Sequence, residues 1–88
     1  MRLLLVEDEP MNREVTLHLL KAVFADVTVA DDGAQAVALA RTREYDLILM
    51  DVQMPAMDAL EAVRRIRELP AVQRIPIVAV TADAFADD

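Results

Sequence analysis

Eighty-eight residues, 56% of them hydrophobic and 28% charged, suffice for one small folded domain and leave no room for a second. Nine basic residues against sixteen acidic ones give a net charge of -7, which would be repelled by a phosphate backbone and argues against direct nucleic-acid binding. Cysteine is absent, which excludes disulfides, a thiolate nucleophile and Cys-based zinc sites, and no apolar stretch approaches a membrane span. The N-terminal run Met1 to Asp8 turns acidic too soon for the apolar core of a secretory signal. The expectation is a cytoplasmic domain without membrane contact.

Taken in chain order, the apolar pattern switches period regularly. Leu3 to Val6 is a short continuous apolar run that ends in charge. Such runs are expected of strands covered on both faces, as in a parallel sheet. Pro10 suits the first position of a helix, whose apolar stripe is read as Met11, Val15, Leu19 and Ala22, widened by Leu20 and Phe24. Val27 to Ala30 is the second strand. Asp32 and Gln35 have capping-box spacing and open a second helix with an apolar stripe of Ala34, Val37 and Ala38. Leu47 to Met50 forms the third strand. Asp58 with Glu61 repeats the capping spacing before a third helix whose inner face is Ala59, Ala62, Val63 and Ile66, with Glu61, Arg64, Arg65 and Glu68 outside. Ile75 to Val80 is the fourth strand, with Pro76 tolerable only near its start. Asp83 could open a further helix. The alternation β-α-β-α-β-α-β implies an α/β fold with parallel strands and right-handed crossovers.

In open α/β sheets ligands bind outside the carboxyl ends of the strands. The first strand runs into Glu7 and Asp8, the third into Asp51 and the fourth into Thr81. If the first and third strands are neighbours, as in the flavodoxin-like order 2-1-3-4, their ends lie about 5 Å apart. Three carboxylates then converge on one hollow, where mutual repulsion demands a proton or a cation. A few hard oxygen ligands, with water and phosphate supplying the rest, suit Mg²⁺.

The segments Val6-Glu7-Asp8-Glu9-Pro10, Tyr45 through Asp58 (YDLILMDVQMPAMD) and Val80-Thr81-Ala82 resemble the receiver domain of two-component response regulators. The wording is most similar to receivers attached to hybrid sensor histidine kinases. The resemblance implies a CheY-like, flavodoxin-like doubly wound sheet that takes a phosphoryl group from a phosphohistidine. The partner it implies is a histidine kinase or a phosphotransfer domain. On the matching positions Asp51 is the phosphoacceptor. Glu7, Asp8, Asp51 and the backbone carbonyl of Gln53 hold Mg²⁺, and Thr81 hydrogen-bonds the phosphoryl group and reports its arrival. The expected readout is a switch of the loop and helix after the fourth strand. Enzymatic activity is not expected beyond slow self-phosphorylation from small donors and autodephosphorylation.

Two departures from the family pattern stand out. Ala59 occupies the position matching a family glycine, which changes the loop after Asp51 without removing the site. The family's fifth strand and helix have no counterpart before Asp88, and with them goes a lysine that pairs with the phosphoryl group. Lys21, the only lysine, lies on the first helix and does not replace it. The expectation is therefore a single receiver domain over residues 1–88, incomplete at its C-terminus. Its fourth strand would be an open apolar edge that dimerises, swaps elements or aggregates.

Taken singly, each residue has a plainer reading. Glu7 and Asp8 could be a polar strand end capping the Pro10 helix, Asp51 a solvated loop residue, and Thr81 a turn or cap. His18 reads as a surface residue, Asp31 and Asp32 as capping and solvation, and Arg64, Arg65 and Arg67 as a solvated helix face or partner contact. Three other functions compete. A dehalogenase-type phosphatase wants a second carboxylate where Gln53 stands. A flavin or nucleotide binder wants a Gly- or Ser-rich loop where Glu7-Asp8-Glu9 stands. A structural interaction module could keep the site while lacking the switch.

Overall fold

The computed structural model describes residues 2–51, 59–69 and 75–80. Within them the order is β1 (Arg2–Val6), α1 (Pro10–Lys21), β2 (Asp26–Ala30), α2 (Gly33–Thr42), β3 (Leu47–Asp51), α3 (Ala59–Arg67) and β4 (Ile77–Val80). The strands form one sheet in the order β2-β1-β3-β4, and each neighbouring pair is parallel. The α/β class and the order 2-1-3-4 are as expected. Leu4 stands opposite Thr28 on one side and Ile48 on the other, and Ile48 in turn stands opposite Ile77.

The order reverses between β1 and β3, and that reversal distributes the helices. The crossover from β1 to β2 runs one way across the sheet, whereas those from β2 to β3 and β3 to β4 run the other way. Right-handed crossovers then put α1 on one face and α2 with α3 on the opposite face, and α2 does pack on α3. The main core lies on this second face. Leu4, Val6, Ala30, Ile48 and Met50 meet Ala36, Val37 and Ala40 of α2 and Ala62 and Ile66 of α3. Alternation sends Leu3 and Leu5 to the α1 face, and both are buried as well. β1 is thus paired on both edges and covered on both faces, which is why its sequence is uninterruptedly apolar.

The helix faces depart from the expectation in two places. Met11, Val15 and Leu19 were expected to face inward, yet they are 73%, 56% and 63% exposed, and Ala22 is exposed too. Leu20 and Phe24, expected to widen that stripe, are half-buried together with Leu17, and no residue of the helix is fully buried. α1 packs chiefly against the edge strand β2, so only one flank of the helix meets the sheet. In α2 the buried side is Gly33, Ala36, Val37 and Ala40, while Ala34 and Ala38 face outward. A helix this rich in alanine presents apolar residues on more than one side, so periodicity alone does not select its inner face.

The remaining elements follow their local chemistry. Pro10 opens α1 as expected, and Glu9 is the N-cap, its carboxylate accepting from the N–H groups of Met11 (3.2 Å) and Asn12 (2.6 Å). Asp32 caps α2 by accepting from the Gln35 N–H at 2.8 Å, and the Gln35 side chain returns to the N–H of Asp31. Ala62 and Ile66 of α3 are buried, with Arg64 and Arg65 outside and paired to Glu61. β4 begins after Pro76, not at Ile75, and the Pro76 carbonyl accepts from Ile48 N–H at 3.0 Å. Pro76 thus lends the pairing its carbonyl at a position where no N–H is required of it. Asp58, the expected cap of α3, and Asp83 lie outside the described residues.

Candidate functional site

The carboxyl ends of β1 and β3 stand side by side because these strands pair directly, Val6 opposite Met50. Glu7 continues the β1 ladder by one hydrogen bond, its N–H donating to the Ala30 carbonyl at 3.1 Å. Asp51 is the last residue of β3 and stands opposite Val80 of β4. Glu7 and Asp51 are each only 8% exposed, and Asp8 is half-buried at the rim. One carboxylate oxygen from each of the three lies within 4.8 Å of the others. The structure therefore brings Glu7, Asp8 and Asp51 together. Gln53 and Thr81 lie outside the described residues, as does the Met54-Pro55 loop.

Holding two carboxyl groups in so little water raises the affinity of one of them for a proton. The Glu7 carboxyl is pushed up from 4.5 to about 7. Burial is the main cause, followed by a side-chain hydrogen bond to Asp51 that needs a proton on Glu7. The negative charges of Asp51 and Asp8 act in the same direction. The N–H of Glu9, which donates to Glu7 Oε2 at 3.2 Å, pulls the other way without prevailing. A cation in the hollow would take the place of that proton.

The donor set fits Mg²⁺. All three donors are hard carboxylate oxygens, with neither sulfur nor imidazole among them. Oxygens around an octahedral Mg²⁺ with bonds of about 2.1 Å lie roughly 3 to 4 Å apart, a separation compatible with three oxygens gathered within 4.8 Å of one another. The limited number of protein oxygens leaves positions for water or phosphate oxygens.

Sequence reasoning missed one residue beside this cluster. Arg13, in the first turn of α1, donates from Nη1 to the backbone carbonyl of Glu7 at 3.2 Å and pairs with Asp31 Oδ1 at 3.3 Å. A cation at the positive end of a helix is locally disfavoured. That misfit was the available signal that something nearby holds it. Asp31, read as solvation, is its partner. At the far end of the strands an open hollow of about 550 Å³, lined by residues including Arg2, Arg41 and Arg43, has no part in the carboxylate cluster.

Comparison with known proteins agrees with this geometry. The family description "Response regulator receiver domain" matches residues 3–88. The chain is 43% identical over 86 residues to the signal transduction histidine-protein kinase BarA of Escherichia coli K12. That match takes in 98% of this chain and 9% of the relative, so the chain spans a small part of that protein's length. Among solved structures it is similar to the receiver domain of the sensor histidine kinase PA1611 from Pseudomonas aeruginosa PAO1, determined with a magnesium ion coordinated in its active-site cleft. The TM-score is 0.86 at 42% identity, over 99% of this chain and 71% of that one. It is also similar to the receiver domain of the histidine kinase CKI1 from Arabidopsis thaliana, complexed with Mg²⁺ and BeF₃⁻, with a TM-score of 0.81 at 33% identity over 91% of this chain and 64% of that one. Fold, strand-end carboxylates and sequence agree: the chain belongs to the response regulator receiver domain family of two-component signalling, whose members accept a phosphoryl group.

Proposed function

We propose that this chain is a phosphoacceptor whose Asp51 takes a phosphoryl group from the phosphohistidine of a kinase or phosphotransfer partner, with Mg²⁺ held by Glu7, Asp8 and Asp51. The observation that carries the reading is the convergence of these three carboxylates at the ends of β1 and β3, two of them buried. A buried carboxylate at a strand end is a competent nucleophile at phosphorus and forms an acyl phosphate. Its oxygen attacks as the bond from phosphorus to the donor's imidazole nitrogen breaks, and the departing imidazole takes up a proton from water. Bound Mg²⁺ supplies the positive charge that lets an anionic nucleophile approach an anionic phosphoryl group. Glu7 and Asp8 orient the site, and Asp51 forms the new bond. By resemblance, the Gln53 carbonyl completes the metal ligands, and the Thr81 hydroxyl meets the new phosphoryl oxygens. The loop and helix after β4 then shift between two arrangements. Slow uptake from small donors and slow hydrolysis of the acyl phosphate belong to the same reading.

The test is intact mass after incubation with phosphoramidate, whose P–N bond is of the donor's type. Gain of one phosphoryl group that requires Mg²⁺ and disappears in Asp51→Asn is the expected result. No gain by a folded wild-type chain overturns the reading.

A second reading has its own observation. β4 is the end strand of the sheet among the described residues, and Val78 on it is 45% exposed. An interaction module that self-associates through this edge, without phosphoryl uptake, is the alternative. Mg²⁺ binding without any mass gain favours it.

A further inference from the structure

We propose that Arg13 is a positioning residue for the carboxylate cluster, fixing the Glu7–Asp8 peptide so that both side chains leave the chain toward Asp51. The inference rests on the reading of Glu7, Asp8 and Asp51 as a Mg²⁺ site. Both backbone groups of Glu7 are tied. Its N–H is bonded to the Ala30 carbonyl of β2 at 3.1 Å, and its carbonyl accepts from Arg13 Nη1 at 3.2 Å. Fixing that carbonyl fixes the peptide plane joining Glu7 to Asp8, and hence the direction in which Asp8 departs. The same Nη1 lies 3.3 Å from Asp31 Oδ1, just beyond β2, and the N–H of Asp31 donates to the Gln35 side chain. One guanidinium thus links the end of β1, the end of β2 and the first turn of α1. The Arg13 side chain is only 26% exposed, so it is a partly enclosed bridge rather than a waving surface charge.

Chemistry and placement support the role. A planar guanidinium offers several donors in a fixed fork and can serve a carbonyl and a carboxylate together, whereas an ammonium is a point charge on a flexible stem. The residue also sits against the local preference, in the first turn of a helix where a cation faces the positive dipole end. The two acceptors offset that cost. The groups that orient metal ligands from behind are known to change metal affinity by 10–100-fold when removed.

The sign of the effect separates this role from simple electrostatics. A positive charge beside a cation site repels the cation, so removing Arg13 should tighten Mg²⁺ binding if charge is all it contributes. Removing it should weaken binding if it positions the ligands. The experiment is calorimetric titration of MgCl₂ into wild type, Arg13→Gln and Arg13→Lys, below the unfolding temperature of each as judged by circular dichroism. The expected result is a Mg²⁺ Kd weakened roughly tenfold in Arg13→Gln. A smaller weakening is expected in Arg13→Lys, which keeps the charge and loses the fork. Should Arg13→Gln fail to fold, Arg13→Lys carries the test alone, and an unchanged Kd in it overturns the proposal. An unchanged or tighter Kd in folded Arg13→Gln overturns it too. A wild-type chain that takes up no Mg²⁺ overturns the metal reading and this inference with it, whereas wild-type binding with an unaffected variant overturns the inference alone.

Discussion

The Glu7 and Asp51 carboxyl groups face each other within 4.8 Å across the paired ends of β1 and β3, although both residues are acids and both are only 8% exposed. Without a cation, a proton shared between them relieves the repulsion. Because the Glu7 carboxyl is raised from 4.5 to about 7, its folded form binds a proton that the unfolded form has released over that interval. Its stabilising contribution is therefore complete below about pH 4.5 and is lost as the pH rises through 7. At most about 3 kcal/mol is involved. Glu7→Gln, which stays neutral, should lack this component. In the metal-free protein, the stability of wild type relative to Glu7→Gln should fall between pH 4.5 and 7, as read from urea midpoints at several pH values. Parallel curves for the two chains would refute the assignment.

Mg²⁺ should act in the opposite sense and most strongly where the proton is absent. Binding requires ionised carboxylates, so affinity should rise with pH up to about 7 and then level off. At ten times its Kd, Mg²⁺ stabilises the native state by about 1.4 kcal/mol through mass action. In a domain of this size that raises the melting temperature by roughly 6 to 11 °C. The increase should largely vanish in Asp8→Asn. A melting temperature indifferent to millimolar Mg²⁺ at pH 8 would count against the cluster.

Much of this architecture could be read from the chain, and the failures have physical causes. The apolar runs of β1 and β3 were legible because central parallel strands are covered on both faces and leave no alternation to blur them, and the charges that end them marked Glu7, Asp8 and Asp51. Capping chemistry identified Asp32, since a carboxylate three residues before Gln35 has a free N–H to accept. The inner face of α1 was not legible. Met11, Val15 and Leu19 look like a core stripe, yet α1 meets mainly an edge strand, a tertiary fact that periodicity does not contain. Arg13 was missed for a related reason, because its partners are a backbone carbonyl and an aspartate on another element.

Tyr45 offers an independent check on the core. It is 3% exposed within the α2–α3 side of the sheet, and its hydroxyl has no hydrogen-bond partner among the described residues. A buried hydroxyl left without a partner costs roughly 1–3 kcal/mol. Tyr45→Phe removes that atom and keeps the ring, so it should be neutral or stabilising by up to about 2 kcal/mol. A clear loss of stability in thermal melts would show that the hydroxyl is satisfied.

The last expectation concerns surface that the fold leaves apolar. Met11, Val15 and Leu19 on the outer side of α1, and Val23 just beyond it, recur every four residues, each more than half exposed, and Val78 is exposed on β4, the end strand among the described residues. An exposed apolar face over one edge of the sheet and, at the opposite edge, an end strand among the described residues each favour association between copies. The 88-residue chain in isolation should therefore self-associate with rising concentration, as followed by sedimentation velocity. Replacing Val15 with Lys and Leu19 with Glu together should shift the distribution toward monomer with little change in stability, because neither side chain contributes to the core. Leu60→Glu is the control. Leu60 is 75% exposed but lies on α3, across the sheet from α1, so the substitution should leave association unchanged. Concentration-independent monomer in the wild type would dismiss both the α1 face and the β4 edge as association surfaces. Association that survives the α1 substitutions would instead assign it to the backbone edge of β4, where side-chain charge on a distant helix has no reach.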